Sequence, residues 1–259
     1  MRIATWNVNS IRQRLEHVLR YLKDEAPDVL CLQEIKCLDE AFPRGDIESL
    51  GYNITTHGQK TFNGVAILSK MPMEVMRGLP GDDSDTQSRY LEAEISVPKG
   101  VVRVASIYLP NGNPVESEKY PYKLAWMDRL IAHTKRLLML EEPLVLAGDY
   151  NIIPEPRDVH DPAAWANDAL FLPQSRAKFR TLVNLGLTDA FRAVSDAPKQ
   201  YTFWDFQAGA WPKNNGIRID HLLLSPQAAD LLQTAVIDRS ERGRDKPSDH
   251  VPVRIDLAI

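Results

Sequence analysis

The chain has 259 residues, 44% of them hydrophobic and 25% charged, and it carries a formal net charge of −4. This is the composition of a globular protein with room for one large α/β domain or two small ones, and no stretch is apolar for long enough to span a bilayer. The acidic balance argues against a general nucleic-acid binder, although it is compatible with an enzyme that has a basic rim on one face.

Ten apolar runs, many of them rich in Val and Ile, predict buried strands. In chain order they are Arg2–Asn7, Asp28–Gln33, Tyr52–Thr56, Gly64–Ser69, Tyr90–Val97, Val101–Leu109, Leu144–Gly148, Arg218–Leu224, Thr234–Asp238 and Val251–Ile259. Helical spacing of apolar residues predicts helices over Ile11–Asp24 with Ser10 as N-cap, Glu118–Leu140, and Pro173–Leu185 with Gly186 as C-cap.

Strands and helices alternate along the chain, but hairpin steps such as Pro98-Lys99-Gly100 also occur. This mixture predicts a single domain, residues 1–259, in which two sheets pack face to face and helices lie outside. Five long loops are candidates for function. They are Leu79–Ser88, Asn111–Lys119, Ile152–Leu172, Gln207–Asn215 and Ser240–Pro247.

The amino terminus and the two cysteines indicate a cytoplasmic protein. Met1–Thr5 enters a strand pattern directly, without the charged and apolar segments of a signal peptide. Cys31 and Cys37 are too few for a disulfide scaffold, and Cys31 lies in an apolar run, so we expect it to be a reduced core residue.

Six short polar motifs stand at the ends of the apolar runs. They are Thr5-Trp6-Asn7-Val8-Asn9, Leu32-Gln33-Glu34-Ile35-Lys36, Tyr108-Leu109-Pro110-Asn111-Gly112, Gly148-Asp149-Tyr150-Asn151, Arg218-Ile219-Asp220-His221 and Ser248-Asp249-His250. Because side chains at strand ends share one rim of a sheet, eight polar groups are expected to converge. They are Asn7, Glu34, Tyr108, Asp149, Asn151, Asp220, Asp249 and His250. Hard oxygen ligands suit Mg²⁺ or Mn²⁺, and a metal near His and Asp suits hydrolysis of a phosphate ester.

Two of these motifs have alternative explanations. Period two puts Asp149 and Asn151 on the same side of an extended segment, but Gly-Asp and Asn are also typical of an Asx turn. Asp220 lies inside an apolar run and needs a partner, and His250 is the simplest one, which would raise the imidazole pKa. The remaining histidines are expected to be ordinary core or surface groups. They are His17, His57, His133, His160 and His221.

The segment Tyr201–Phe206, followed by Trp211, holds more aromatic rings than a small core needs in one place. Core packing accounts for about half of these rings, and the others would wall a sugar- or base-sized pocket. Tyr108 has a similar alternative, as a packing tyrosine with a solvated hydroxyl.

Together these motifs resemble the exonuclease III family of apurinic/apyrimidinic (AP) endonucleases, in the endonuclease/exonuclease/phosphatase superfamily with the DNase I-like fold. The motifs around Glu34, Asp149 and His250 are shared with phosphoinositide phosphatases and sphingomyelinases, so they indicate the chemistry and not the substrate. The segments that resemble the DNA-repair branch are Gln33-Glu34-Ile35-Lys36, Tyr108-Leu109-Pro110-Asn111, Tyr201-Thr202-Phe203-Trp204 and Arg218–Ser225. The resemblance covers nearly the whole chain and implies a four-layer α/β sandwich of two mixed sheets flanked by helices.

The resemblance also implies roles for individual residues. Glu34 would be the main Mg²⁺ ligand, with Asn7 and Asp249 close by and with Asp149, Asn151 and His250 at the same centre. Asp149 would activate or position the attacking water, and Asn151 would orient that water and the phosphate. Tyr108 and His250 would contact the phosphate, with Asp220 holding His250. The general base, Asp149 or His250, stays open, as does the number of metal ions.

DNA contacts are expected from Lys36, Arg89, Asn111, Phe203, Trp204, Trp211 and Arg218. Two positions depart from the family pattern. Asn9 stands where some members carry a carboxylate, and Ile217 stands where some place a Trp that walls the abasic pocket.

The implied activity is Mg²⁺-dependent (or Mn²⁺-dependent) cleavage of duplex DNA 5′ to abasic sites by a monomer, with 3′–5′ exonuclease activity or trimming of 3′ ends. One alternative is a phosphohydrolase of the same superfamily that acts on a small phosphate ester or lipid head group. Another is a non-catalytic nucleic-acid-binding regulator on this fold. The competent residues at every expected catalytic position argue against a regulator.

Overall fold

The computed structural model describes residues 1–98 and 100–259, which form two mixed six-stranded sheets with helices around them. The strands are β1 (Arg2–Asn7), β2 (Val29–Gln33), β3 (Asn53–His57), β4 (Val65–Ser69), β5 (Met73–Arg77), β6 (Tyr90–Val97), β7 (Gly100–Tyr108), β8 (Leu144–Asp149), β9 (Thr188–Asp189), β10 (Asp220–Leu224), β11 (Leu232–Ile237) and β12 (Val253–Leu257). The helices are α1 (Leu15–Asp24), α2 (Arg44–Glu48), α3 (Lys119–Leu138), α4 (Pro173–Val183), α5 (Ala190–Val194), α6 (Ala210–Lys213) and α7 (Pro226–Ala229). Short 3₁₀ turns cover Asp39–Ala41, Pro156–Asp158 and Arg239–Gly243.

The alternation of side chains along the central strands produces four layers. Cys31 of β2 and Ala147 of β8 point between the sheets into a shared core. Leu32 points the other way and packs under α1, and Leu146 packs under α3 and α4. The predicted four-layer sandwich is therefore confirmed, and Cys31 is a free, fully buried thiol as expected.

The strand order brings the polar motifs to one edge of the sandwich. The sheets have the orders β11-β12-β1-β2-β4-β3 and β5-β6-β7-β8-β10-β9. β1 runs parallel to β2 with Asn7 opposite Gln33, and β7 runs parallel to β8 with Tyr108 opposite Asp149. β10 is antiparallel to β8 and starts at this edge, because Asp220 lies opposite Asp149. β12 is antiparallel to β1, so the segment that precedes it also reaches this edge.

Several predicted boundaries differ from the structure. Ser10 is not an N-cap, because residues 11–14 form turns and α1 begins at Leu15 with Arg14 as its N-cap residue. β5 was not predicted, because it is a largely exposed edge strand without an apolar run, and β9 has only two residues. In the predicted hairpin step Pro98-Lys99-Gly100, Lys99 lies outside the described residues. No helix in the described part of the chain has the length and apolar character needed to cross a membrane.

Candidate active site

The edge where the strands end holds a cavity of about 280 Å³. Eight of the predicted site residues line it: Glu34, Tyr108, Asn111, Asp149, Asn151, Phe203, Asp249 and His250. Asn7 and Asp220 lie directly behind this lining, buried and hydrogen-bonded to it. The structure thus brings together residues from both sheets, as the strand-end motifs predicted.

A buried amide joins the first sheet to the second. Asn7 Nδ2 donates to Glu34 Oε1 at 2.8 Å and to Asp149 Oδ2 at 2.9 Å. Its Oδ1 accepts the backbone N–H of Asn9 at 3.0 Å. Asn7 therefore fixes the spacing of the two carboxylates, and its own oxygen is held by the backbone of the segment that follows β1.

A second chain of contacts runs along the rim. Lys36 Nζ lies 2.8 Å from Glu34 Oε2 and donates to Asn9 Oδ1 at 2.5 Å, and Asn9 Nδ2 donates to Asp249 Oδ1 at 3.1 Å. Burial opposes ionisation of Glu34, but the Lys36 charge and the Asn7 hydrogen bond outweigh it and lower the Glu34 pKa. Lys36, predicted to contact DNA, is thus an ion-pair partner of Glu34. Asn9 accepts a hydrogen bond from Lys36 and donates one to Asp249, and a carboxylate at this position could not donate.

His250 sits between two carboxylates. Its Nδ1 lies 2.9 Å from Asp220 Oδ2, and its Nε2 lies 3.7 Å from Asp149 Oδ2. Burial disfavours the imidazolium, but the charges of Asp220 and Asp149 prevail and raise the His250 pKa to about 10. Burial raises the pKa of Asp149 to about 7, against the opposing effect of His250. His250 is therefore a proton donor at neutral pH, whereas Asp149 can accept a proton.

The remaining wall is formed by amides and a phenol. Asn151 Nδ2 donates to the Leu109 carbonyl at 2.9 Å, and Asn111 Nδ2 donates to Asn151 Oδ1 at 3.2 Å. Burial and the neighbouring carboxylates raise the Tyr108 pKa well above its usual value, so the phenol stays protonated and can donate. The Arg89 guanidinium stacks over the Tyr108 ring at 4.9 Å, which brings its charge next to the cavity.

The donor set fits a hard divalent cation. Ligand atoms of Glu34, Asp149 and His250 lie within 4.8 Å of one another. The two carboxylates provide the oxygen ligands that Mg²⁺ and Mn²⁺ prefer. Both ring nitrogens of a protonated His250 carry hydrogen, so neither has a free lone pair for a metal. The imidazolium therefore suits a hydrogen bond to a phosphate oxygen better than the predicted metal contact.

Two residues predicted to contact DNA are buried, and these predictions are wrong. Arg218 is 1% exposed and its guanidinium donates to Asp158 and Asp189. Trp204 is fully buried and its Nε1 donates to Asn214 at 3.1 Å. Both side chains are held by the protein's own polar groups, which leaves none of their surface for DNA.

The other predicted aromatic contacts have different positions. Phe203 lines the cavity and its ring meets His250 edge-on, at 4.9 Å between centroids. Trp211 is partly exposed, but it packs against Trp204 and lies outside the cavity. His133, expected to be an ordinary histidine without a charged partner, instead pairs with the buried Glu92 at 2.7 Å.

Part of the cavity wall was not predicted from the sequence. These residues are Asn113, Trp165, Asp168, Leu170, Asp205 and Ile219, together with Ile217, which had been noted only as a departure. The signals in the sequence were the lengths of two loops, Ile152–Leu172, which contributes three of them, and Asn111–Lys119, which contributes Asn113. Ile219 belongs to a strand-end motif but was not itself predicted to line the site.

Comparison with known proteins identifies relatives over the whole chain. The model of the endonuclease/exonuclease/phosphatase family matches residues 4–250. Exodeoxyribonuclease III of Haemophilus influenzae is 34% identical over 262 residues, covering 98% of both chains. An AP endonuclease from Archaeoglobus fulgidus superposes with a TM-score of 0.95 at 36% identity, covering both chains fully. The 3′ phosphatase NExo from Neisseria, bound to a product DNA hairpin, has a TM-score of 0.95 at 37% identity, again over both full chains.

Proposed function

Because the chain belongs to the endonuclease/exonuclease/phosphatase family, we propose that it is a metal-dependent DNA-repair nuclease. It cleaves duplex DNA 5′ to abasic sites and removes nucleotides or blocking groups from 3′ ends. The observation that carries this proposal is the convergence of Glu34, Asp149, Asn151 and His250 in one cavity. The names of its relatives, an exodeoxyribonuclease III, an AP endonuclease and a 3′ phosphatase, support both activities.

The residues divide the reaction between them. A divalent ion held by Glu34 and Asp149 would supply positive charge to the non-bridging oxygens; we expect Mg²⁺, with Mn²⁺ as an alternative. His250, held as an imidazolium by Asp220, donates a hydrogen bond to the same phosphate. Asn151 orients the phosphate and the attacking water.

The general base is Asp149 in this proposal. Asp149 is a carboxylate in the cavity wall and can accept a proton from water, whereas His250, paired with Asp220, already carries its proton at neutral pH. As the water oxygen gives its proton to Asp149 and bonds to phosphorus, the bond from phosphorus to the 3′ oxygen breaks, and the leaving oxygen takes a proton from solvent to become a 3′ hydroxyl. One fragment therefore ends in a free 3′ hydroxyl, and the other begins with the abasic residue and its 5′ phosphate.

The apolar side of the cavity suits a sugar that has lost its base. Phe203, Ile217, Ile219 and Leu170 form this side, next to the polar wall. Flipping a nucleotide out of a duplex costs a few kcal/mol, and least where no base must be unstacked. An abasic nucleotide therefore enters such a cavity more easily than an intact one.

The monomeric state and the cytoplasmic location remain predictions.

The decisive experiment is cleavage of a duplex carrying one tetrahydrofuran abasic analogue, with Mg²⁺ and with EDTA. Glu34→Ala is expected to lower kcat by about two decades or more, because a main electrostatic stabiliser is lost. Glu74→Ala, which removes an exposed carboxylate from the edge strand β5, is the matched control and should behave as wild type. Full wild-type activity in EDTA would contradict the metal-dependent mechanism. Cleavage of small phosphate esters without cleavage of the duplex would favour the alternative phosphohydrolase.

A further inference from the structure

Beneath the cavity lies a buried ammonium group that the proposed mechanism does not use. Lys123 stands in the first turns of α3 and is 0% exposed. Burying an ammonium group is unfavourable unless hydrogen bonds compensate the loss of water. Packing alone therefore does not explain a lysine at this position.

The Lys123 ammonium joins the two loops that carry the site amides. Its Nζ donates to the backbone carbonyl of Asn111 at 2.9 Å and to that of Asn151 at 2.6 Å. Asn111 follows β7 and Asn151 follows β8, the parallel pair of the second sheet. One amino group thus bonds to both loops, so these contacts restrain both loop backbones relative to α3.

The contact to Asn151 restrains the conformation that presents its side chain. Asn151 has a left-handed backbone, with φ of 47°. Its N–H donates to Asp149 Oδ1 at 2.9 Å, while its carbonyl accepts from Lys123 on the opposite side. The residue is thus held at both its backbone polar groups, which leaves its amide directed along the cavity wall toward Asn111.

The loop after β7 accommodates the lysine stem through a glycine. Gly112 has φ of 91°, and a Cβ there would lie 2.7 Å from Lys123 Cδ. Any larger residue would displace either the stem or the loop. The absence of a side chain at Gly112 therefore lets the lysine stem pass close to the loop, so that its amino group reaches both carbonyls.

We propose that Lys123 is a positioning residue, whose ammonium clamps the loops after β7 and β8 and so aims Asn151 at the scissile phosphate. This inference rests on the proposed nuclease function. Lys123 itself does not reach the reacting atoms, so it acts on kcat through Asn151. Its contact with Asn111, a residue expected to bind DNA, is to the backbone carbonyl and not to the side chain, so we expect only a small effect on KM.

The test compares Lys123→Met with wild type on the abasic duplex under saturating Mg²⁺. Methionine fills the stem but cannot donate, so kcat should fall about tenfold to hundredfold, as expected for a misplaced catalytic group. KM should change by less than a factor of about three, and the melting temperature should fall by only a few degrees, because two backbone carbonyl groups lose their donor. Thr134→Val is the matched control, since Thr134 is also fully buried on α3 and its hydroxyl has no partner among residues 1–98 and 100–259.

A double-mutant cycle separates positioning from general damage. In an Asn151→Ala background the loss caused by Lys123→Met should disappear, because the side chain it positions is gone. Wild-type kcat in a folded Lys123→Met enzyme would overturn the proposal, as would an equal loss in both backgrounds. If Lys123→Met does not fold, Lys123→Gln, whose single amide can keep a contact to one loop, is tested by the same cycle, and an equal loss in both backgrounds overturns the proposal. A wild-type protein that does not cut the duplex would instead contradict the nuclease function itself.

Discussion

Arg218 permits a quantitative test, because its guanidinium is buried between two carboxylates. Its Nε donates to Asp158 at 2.8 Å and its Nη1 donates to Asp189 at 2.8 Å. Burial disfavours both charged carboxyl groups, but the Arg218 charge prevails and lowers the pKa of each. Arg218→Met keeps most of the volume and removes this compensation, while Arg192 still contacts Asp158.

The expected loss of stability is large. Removing one partner of a buried ion pair costs about 3–5 kcal/mol, because a buried charge is left uncompensated. For 259 residues, an unfolding entropy of about 2 cal/mol/K per residue gives roughly 0.5 kcal/mol/K. The melting temperature of Arg218→Met should therefore fall by about 6–10 °C.

The size of this loss should depend on pH. In the wild type the folded pKa values of Asp158 and Asp189 lie below the unfolded value of about 3.9. Their contribution to stability is thus fully present above that value and is lost as the pH falls through the folded values. In Arg218→Met both pKa values rise relative to the wild type, that of Asp189 the most, because Arg192 still contacts Asp158. The two groups therefore become neutral at a higher pH, and the difference in stability from the wild type shrinks as the pH falls.

Urea unfolding of both proteins at pH 7 and pH 4.5 measures this difference. Arg180→Met, on the exposed side of α4, is the control and should change the unfolding free energy by less than about 0.5 kcal/mol. An Arg218→Met protein that is no less stable than Arg180→Met would show that the buried ion pair does not stabilise the fold. An equal loss of unfolding free energy at both pH values would show that the pKa values of Asp158 and Asp189 do not depend on Arg218.

Three further predictions concern the cavity and its rim. Asp220→Asn should lower the His250 pKa from about 10, so the fall in rate on the alkaline side of a pH–rate profile should move to lower pH; an unchanged profile would mean that Asp220 only packs. Phe203→Ala should reduce abasic-site cleavage more than cleavage at an intact nucleotide, whereas Trp204→Ala, in the core, should lower the melting temperature and reduce both rates in parallel. Arg89→Ala should reduce the salt dependence of DNA affinity by about one unit of log–log slope, and Arg218→Met should leave it unchanged; equal slopes for all three proteins would exclude a phosphate contact by Arg89.

Strand-end motifs were predictable because their geometry is local. A strand places successive side chains on opposite faces, and parallel neighbours end at one edge. Asn7, Glu34, Tyr108 and Asp149 each sit within one residue of such an end, so their convergence follows from the alternation of apolar residues alone. The Asp220–His250 pair was predictable for a different reason, since a carboxylate in an apolar run requires a partner.

The errors arose where contacts between distant segments decide exposure. Arg218 precedes Asp220 in the sequence, yet its partners Asp158 and Asp189 lie 60 and 29 residues away. The exposure of Phe203 and Trp204 likewise depends on a contact with a distant segment. Neighbouring residues in extended backbone face opposite ways, and the bridge from Phe203 to His250 decides which ring reaches the cavity.

The backbone of the site adds an argument that the sequence alone could not supply. Asn9, Glu34, Lys36 and Asn151 all have left-handed conformations, with φ of 45°, 49°, 52° and 47°. Asn tolerates this region, but for Glu and Lys it costs roughly 1–2 kcal/mol each, which glycine would avoid. The backbone at Glu34 and Lys36 would therefore favour other residues. The side chains explain their presence, because the carboxylate and the ammonium group form an ion pair at 2.8 Å. This backbone conformation places Glu34 in the cavity wall and Lys36 beside Glu34. The turn after β2 thus positions the carboxylate expected to hold the metal, and it also places the cation that keeps this carboxylate ionised.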